Sequence, residues 1–231
     1  MAALPLVFWM GITQFNIHIR GSDALNYAHS ARFSSSPWLR HNWGRDLLLR
    51  GQPAEAAILF KEVVERHPED LQAWNGLAMA YLALGHSEKA ILAAEEARRY
   101  SPTDATAWSN LSTVYFRTGD SLKALECSEK AVEINPQSGE ARMAQAESLR
   151  FLRRWPEAIR AYREVVRLDP TQCDARNNLA GVLAQSGDLE GAQIELQRII
   201  QINPSYPGLQ GNLDRLEKLR QKTVSPSETK R

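Results

Sequence analysis

Cysteine is scarce in this chain. Cys127 and Cys173 are its two cysteines among 231 residues, far apart and at no metal-ligand spacing, which excludes a disulfide-stapled scaffold. The five histidines (His18, His29, His41, His67 and His86) form no HExxH pair, and none neighbours a cysteine at ligand spacing, so no metal site is expected. Neither a GxGxxG nor a GxxxxGK stretch occurs to cradle a phosphate. With no catalytic constellation in view, the chain is expected to be no enzyme and to need no cofactor. Net charge is lacking as well. Lys and Arg number 28 against 27 Asp and Glu, and no basic stripe interleaves with aromatics, so no nucleic-acid partner is expected.

The small charge is unevenly spread. Residues 37–206 carry 20 Lys/Arg against 23 Asp/Glu, whereas 207–231 carry 6 against 3. The end, "TVSPSETKR" at 223–231, is polar and low in complexity and is expected to be a disordered tail.

What the chain does have is periodicity. Pro68, Pro102, Pro136, Pro170 and Pro204 are spaced by 34 residues, and Ala56, Ala90, Ala124, Ala158 and Ala192 by the same interval. Gly51, Gly85, Gly119 and Gly187 keep that register, with Arg153 where a fifth glycine would fall. Three series in one phase define repeats, here 37–70, 71–104, 105–138, 139–172 and 173–206. Each unit reads as two helices. In the second, Trp74, Leu77, Ala78 and Tyr81 recur at i, i+3, i+4 and i+7, one face of a helix. Gly85 ends that helix in a left-handed turn. Ala90, Ala94 and Ala97 mark the packed face of a second helix, and Pro102 stops it. Pro53 and Pro156 fall at helix starts, where a missing N–H costs nothing.

Small residues show where the helices cross. Counting each unit from its first residue, position 8 holds Gly44, Ala78, Ser112, Ala146 and Ala180, and position 20 is alanine five times. Bulk surrounds them, with Trp43, Leu77, Leu111 and Leu179 at position 7 and Phe60, Tyr162 and Leu196 at position 24.

On these residues the chain resembles the tetratricopeptide repeat (TPR) family, whose signature is W-x2-L-G-x2-Y, then A-x3-F, A and P. "WNGLAMAY" and "WSNLSTVY" are close to its first half. Units 1 and 4 depart, with Arg40 and Arg142 at the tryptophan position and Gln145 at the leucine position. The resemblance implies an all-α fold, a TPR superhelix of antiparallel helix pairs whose concave face is lined by the first helices. A solenoid end needs a polar cap. "PGLQGNLDRLEKLRQK" continues the register with Leu209, Leu213, Leu216 and Leu219 in a stripe, so 207–222 is expected to be a C-terminal capping helix. At the front, 22–36 reads as a degenerate capping helix and linker, in which Ala24, Tyr27, Ala28 and Ala31 would pack on the first unit.

The function implied is protein–protein interaction: a peptide segment of a partner held in the concave groove. Asn42, Asn110, Asn178 and Asn212 occupy position 6, and Asn75 and Asn177 position 5. An amide pairs with the backbone of an extended peptide whatever its sequence, and the row resembles the asparagine ladder of the O-GlcNAc-transferase TPR region. Met79 and Met143 add adaptable apolar surface, and Thr113, Glu147 and Arg150 add polar contacts. The family's carboxylate clamp is not matched, since its residues would fall at His41, Arg45, Thr106 and Asn110. Unit 4 is basic, with seven arginines against five acids. Arg150, Arg153 and Arg154 are read as ending its first helix, where cations suit the dipole, or else as a docking patch for an acidic segment of a partner.

The opening "MAALPLVFWMGITQFNIHIR" has no charge before Arg20. Residues 1–21 therefore form an apolar N-terminal segment with three readings: a membrane anchor or the trailing remnant of a span, an interfacial or packed apolar piece, or a cleaved signal. The first makes the protein membrane-associated through residues 1–19, and otherwise cytoplasmic. Arg20 and Arg32 are too few to decide the side. The passage from an apolar stretch into the repeats also resembles O-mannosyltransferase-like membrane glycosyltransferases. That is a second reading, in which this chain is the accessory repeat region of a membrane enzyme or assembly.

Overall fold

A computed structural model describes residues 37–224, and the apolar segment, the front cap and residues 225–231 lie outside them. The described residues form helices without strands, in five pairs and a final helix: α1 (Pro37–Leu49), α2 (Pro53–Arg66), α3 (Leu71–Ala83), α4 (Ser87–Tyr100), α5 (Ala105–Arg117), α6 (Ser121–Ile134), α7 (Gly139–Phe151), α8 (Trp155–Leu168), α9 (Cys173–Gln185), α10 (Leu189–Ile202) and α11 (Leu209–Val224).

The starts are capped where the chain offers a short acceptor. Asp70, Asp120, Ser138 and Asp188 accept from the backbone N–H three residues on, and Asp104 from Thr106. Each satisfies a donor the helix cannot. Pro53 begins α2, whereas Pro156 is second in α8, because Trp155 starts that helix.

One turn joins the two helices of every pair. In the third unit Asp120 N donates to Tyr115 O at 2.9 Å and Gly119 N to Phe116 O at 3.2 Å. These are the paired bonds of a Schellman closure, which needs a left-handed residue. Gly119 supplies it with φ 95°. In the fourth unit Arg153 adopts φ 59°, with Arg154 N on Leu149 O and Arg153 N on Arg150 O. The closure persists there without glycine, at the cost of a side chain in a disfavoured region. The arginine run is consequently split. Arg150 lies in the last turn of α7, Arg153 is in the turn, and Arg154 precedes α8 and pairs with Glu157 at 2.6 Å. A dipole role therefore holds for Arg150 alone.

Where one pair meets the next, each proline sits second in a tight turn, as in Asp104 N to Ser101 O at 3.1 Å around Pro102. The side chain at position 4 reaches back over this turn. Trp74 and Trp108 donate their indole N–H to the carbonyls of Pro68 and Pro102 at 2.7 and 2.8 Å. In the fifth unit Arg176 takes the tryptophan position and its guanidinium makes the same bond, Nη2 to Pro170 O at 2.8 Å. It also pairs with Glu195 at 2.6 Å, both side chains being largely buried. Arg142 makes no such tie, and its Nε is buried without a partner.

The alanines at position 20 are 0, 0, 0, 0 and 1% exposed. They bring paired helices so close that Ser112 Oγ donates to the carbonyl of Ala124 at 2.6 Å. Phe60 is wedged between Gly44 of α1 and Gly76 of α3, where any Cβ would collide with its ring. The apolar core forms two clusters that meet at α6, which gives Ala124 and Cys127 to one and Leu125 to the other. At this junction α6 and α7 bury Ser128 and Ser148, each bonded to a carbonyl of its own helix. In α11, Leu209 and Leu216 are buried, while Leu219 stays exposed.

Ala124→Leu is expected to overpack the third crossing and cost about 1–3 kcal/mol, read by denaturant unfolding; an unchanged midpoint would refute the register. Arg153→Gly should gain about 0.5 kcal/mol, the relief of left-handed strain less the chain entropy of glycine, seen as a higher melting temperature.

Candidate functional site

The first helices form one side of the stack. α1 meets α3, α3 meets α5 and α5 meets α7, whereas α7 and α9 approach less closely. Positions 5, 6, 9 and 12 of these helices lie along this side, and most are half-buried.

The amides there differ in what they leave free. Asn42 is satisfied within its helix, its Nδ2 donating to Trp38 O at 3.0 Å and its Oδ1 accepting from Arg45 at 3.2 Å. Asn75 keeps a buried Oδ1 without a partner. Asn110 and Asn178 are half-buried and make no side-chain hydrogen bond among the described residues. Asn177 accepts from Asn212 Nδ2 at 2.6 Å, which ties α9 to α11. Thr113 donates to Ser109 O at 3.0 Å. Met79 is 36% exposed, and Met143 packs partly against the core.

Two cavities gather the remaining candidates. One, of about 340 Å³, is lined by Thr113, Met143 and Glu147. The other, of about 250 Å³, is lined by Arg150, Asn177, Asn178 and Asn212. Asn42, Asn75, Met79 and Asn110 line neither. Arg215, Leu219 and Gln185 also line the second cavity and were missed as site residues in the sequence. The repeat register was the available signal, since α11 continues it and puts Arg215 at position 9.

Burial holds the Glu147 carboxyl above the usual range; Arg150 opposes this and Asp174 adds to it. Burial also pushes the Tyr162 hydroxyl up to about 12, against the pull of Arg150. The thiol of Cys127 is likewise pushed to about 12, by burial and then by Glu95, which makes it a poor nucleophile. Among the described residues no three of His, Cys, Asp and Glu gather as a metal site. No described helix is long and apolar enough to cross a membrane, and residues 1–19 lie outside those described.

A tetratricopeptide repeat profile matches residues 41–98 and 143–207, over half of the chain. The chain belongs to the tetratricopeptide repeat family. A profile of anaphase-promoting complex (cyclosome) subunit 3 also matches residues 86–165. No curated protein matches. Among solved structures, a thermophilic TPR protein of Thermus thermophilus is similar with TM-score 0.66 and 19% identity, over 80% of this chain and all of its own. YrrB, described as a TPR protein with an unusual peptide-binding site, gives 0.57 and 21%, over 83% and 99%. Yeast Tom70 gives 0.74 and 15%, over 95% of this chain and 47% of its own. These likenesses establish the fold, that of a TPR superhelix. The likeness to O-mannosyltransferase-like enzymes is not shown by these matches.

Because the folded state binds the Glu147 proton more tightly than the unfolded chain, the stability this group contributes is highest at acid pH. It falls as pH rises through the ordinary glutamate range towards the raised value. Glu147→Gln should therefore raise the melting temperature at pH 7 and leave it nearly unchanged at about pH 3, where the carboxyl is protonated in both states. An equal shift at both would assign the effect to packing.

Proposed function

We propose that this protein is a non-catalytic scaffold that holds an extended segment of a partner protein against the first-helix face of its repeats. The observation that carries this is the unused hydrogen-bonding capacity there. Asn75 Oδ1 is buried without a partner among the described residues, and the half-buried Asn110 and Asn178 make no side-chain hydrogen bond among them. A polar group held in that condition is costly unless water or a ligand serves it, and a peptide backbone supplies matching donors and acceptors at every residue. Peptide binding, as named for YrrB, is a use of the same fold. In this reading 37–206 is the binding array and 207–222 closes it.

Purification of partners on the full chain, wild type against Asn110→Ala/Asn178→Ala, tests the assignment. Losing two peptide hydrogen bonds at about 1 kcal/mol each should lower partner recovery about tenfold or more. Equal recovery by both proteins would remove these amides from the binding face.

A further inference from the structure

The cavity between α7, α9 and α11 has a chemistry of its own. Two arginines line it, Arg150 and Arg215, together with Asn177, Asn178 and Asn212, and neither Asp nor Glu does. In the fourth and fifth units Arg154, Arg167, Arg176 and Arg198 each pair with a glutamate, whereas Arg142, Arg153, Arg160 and Arg163 form no ion pair among the described residues. Arg150 and Arg215 form no ion pair with a carboxylate among the described residues, and the hydroxyl beside Arg150, that of Tyr162, is neutral. Glu147 lines the neighbouring cavity instead. The bond from Asn212 occupies the acceptor of Asn177 and leaves its two N–H donors, so the polar wall is mostly donors. The floor is apolar, built by Leu196 and Leu216, with Leu219 exposed at the rim.

Resting on the peptide-groove reading above, we propose that this cavity is a carboxylate-binding site for the partner peptide, seating an acidic side chain or the C-terminal carboxylate beside an apolar residue. A carboxylate is the acceptor-only group that such donors need, and charge-assisted bonds to a guanidinium are the strongest they can make. About 250 Å³ admits one carboxylate and part of a neighbouring aliphatic side chain.

Fluorescence anisotropy on the full chain tests this with four labelled octapeptides: Leu-Asp repeated four times with a free or an amidated C-terminus, and Leu-Asn repeated likewise. The free Leu-Asp peptide should bind at least tenfold more tightly than amidated Leu-Asn, and less so in high salt. Affinity retained by the amidated Leu-Asp peptide assigns the carboxylate to side chains; affinity retained by the free Leu-Asn peptide assigns it to the terminus. Arg150→Gln should weaken acidic-peptide binding at least fivefold without changing the amidated Leu-Asn peptide. Arg215→Glu on the exposed side of α11 should do the same, and decides the matter if the first variant melts early. Four peptides bound alike, or Arg215→Glu binding as wild type does, would overturn the carboxylate site. In that case, binding that still depends on Asn110, which lies outside the cavity, would leave the groove intact. No binding by any of the four would overturn both.

Discussion

The array depends on how closely two helices can approach at one point in each unit. At position 20 the side chain is a single methyl group, five times over, and each is shut from solvent. Ser112 shows how tight the crossing is, because its hydroxyl reaches the backbone carbonyl of Ala124 on the opposing helix. A backbone approach of that kind is incompatible with a longer side chain on either surface. Bulk is displaced to the flanks, where Phe60, Tyr162 and Leu196 fill what the small residues leave open. Each such side chain, once buried, stabilises by roughly 1.5–3 kcal/mol.

Three of the connections between units carry a side-chain hydrogen bond to the proline carbonyl, made by different side chains. Trp74, Trp108 and Arg176 differ in size and charge, yet each delivers an N–H to the proline carbonyl six residues upstream. The arginine brings a buried charge, and Glu195 answers it; a guanidinium there without that partner would carry the full desolvation cost. The Schellman turns behave similarly, since the chain closes at Arg153 as it does at the glycines. What is preserved is the path of the backbone, with the strain absorbed locally.

The same stacking that buries the core fixes what remains available on the first-helix face. Side chains at positions 5, 6 and 9 stand at the edge of the helix contacts, half out of water, and cannot all find partners inside the protein. Between α5 and α7, which touch, a cavity is lined by Thr113, Met143 and Glu147. Between α9 and α11, with Arg150 of α7 at its edge, a second cavity collects arginines and amides from three helices. A regular stack thus produces chemically distinct segments from one repeated plan.

Much of this was legible in the residues. The 34-residue recurrence of proline, alanine and glycine determines where helices start, stop and cross, because each of those residues has a narrow conformational or steric use. The groove helices, and the amides on them, follow from that register. Three things did not follow. Asn42 looks equivalent to Asn110 and Asn178, but it is engaged by Trp38 and Arg45 of its own helix, a competition that spacing does not reveal. The arginines of the fourth unit read as one cluster, until the left-handed turn at Arg153 separates them. The cavity shared by Arg150 and Arg215 joins residues on the fourth unit and the final helix, with a whole repeat between them. Periodicity, being local, prescribes the helices and their order. Which side chains are left with unpaired charge and open hydrogen bonds was decided by tertiary packing, because that depends on distances between helices far apart in the chain.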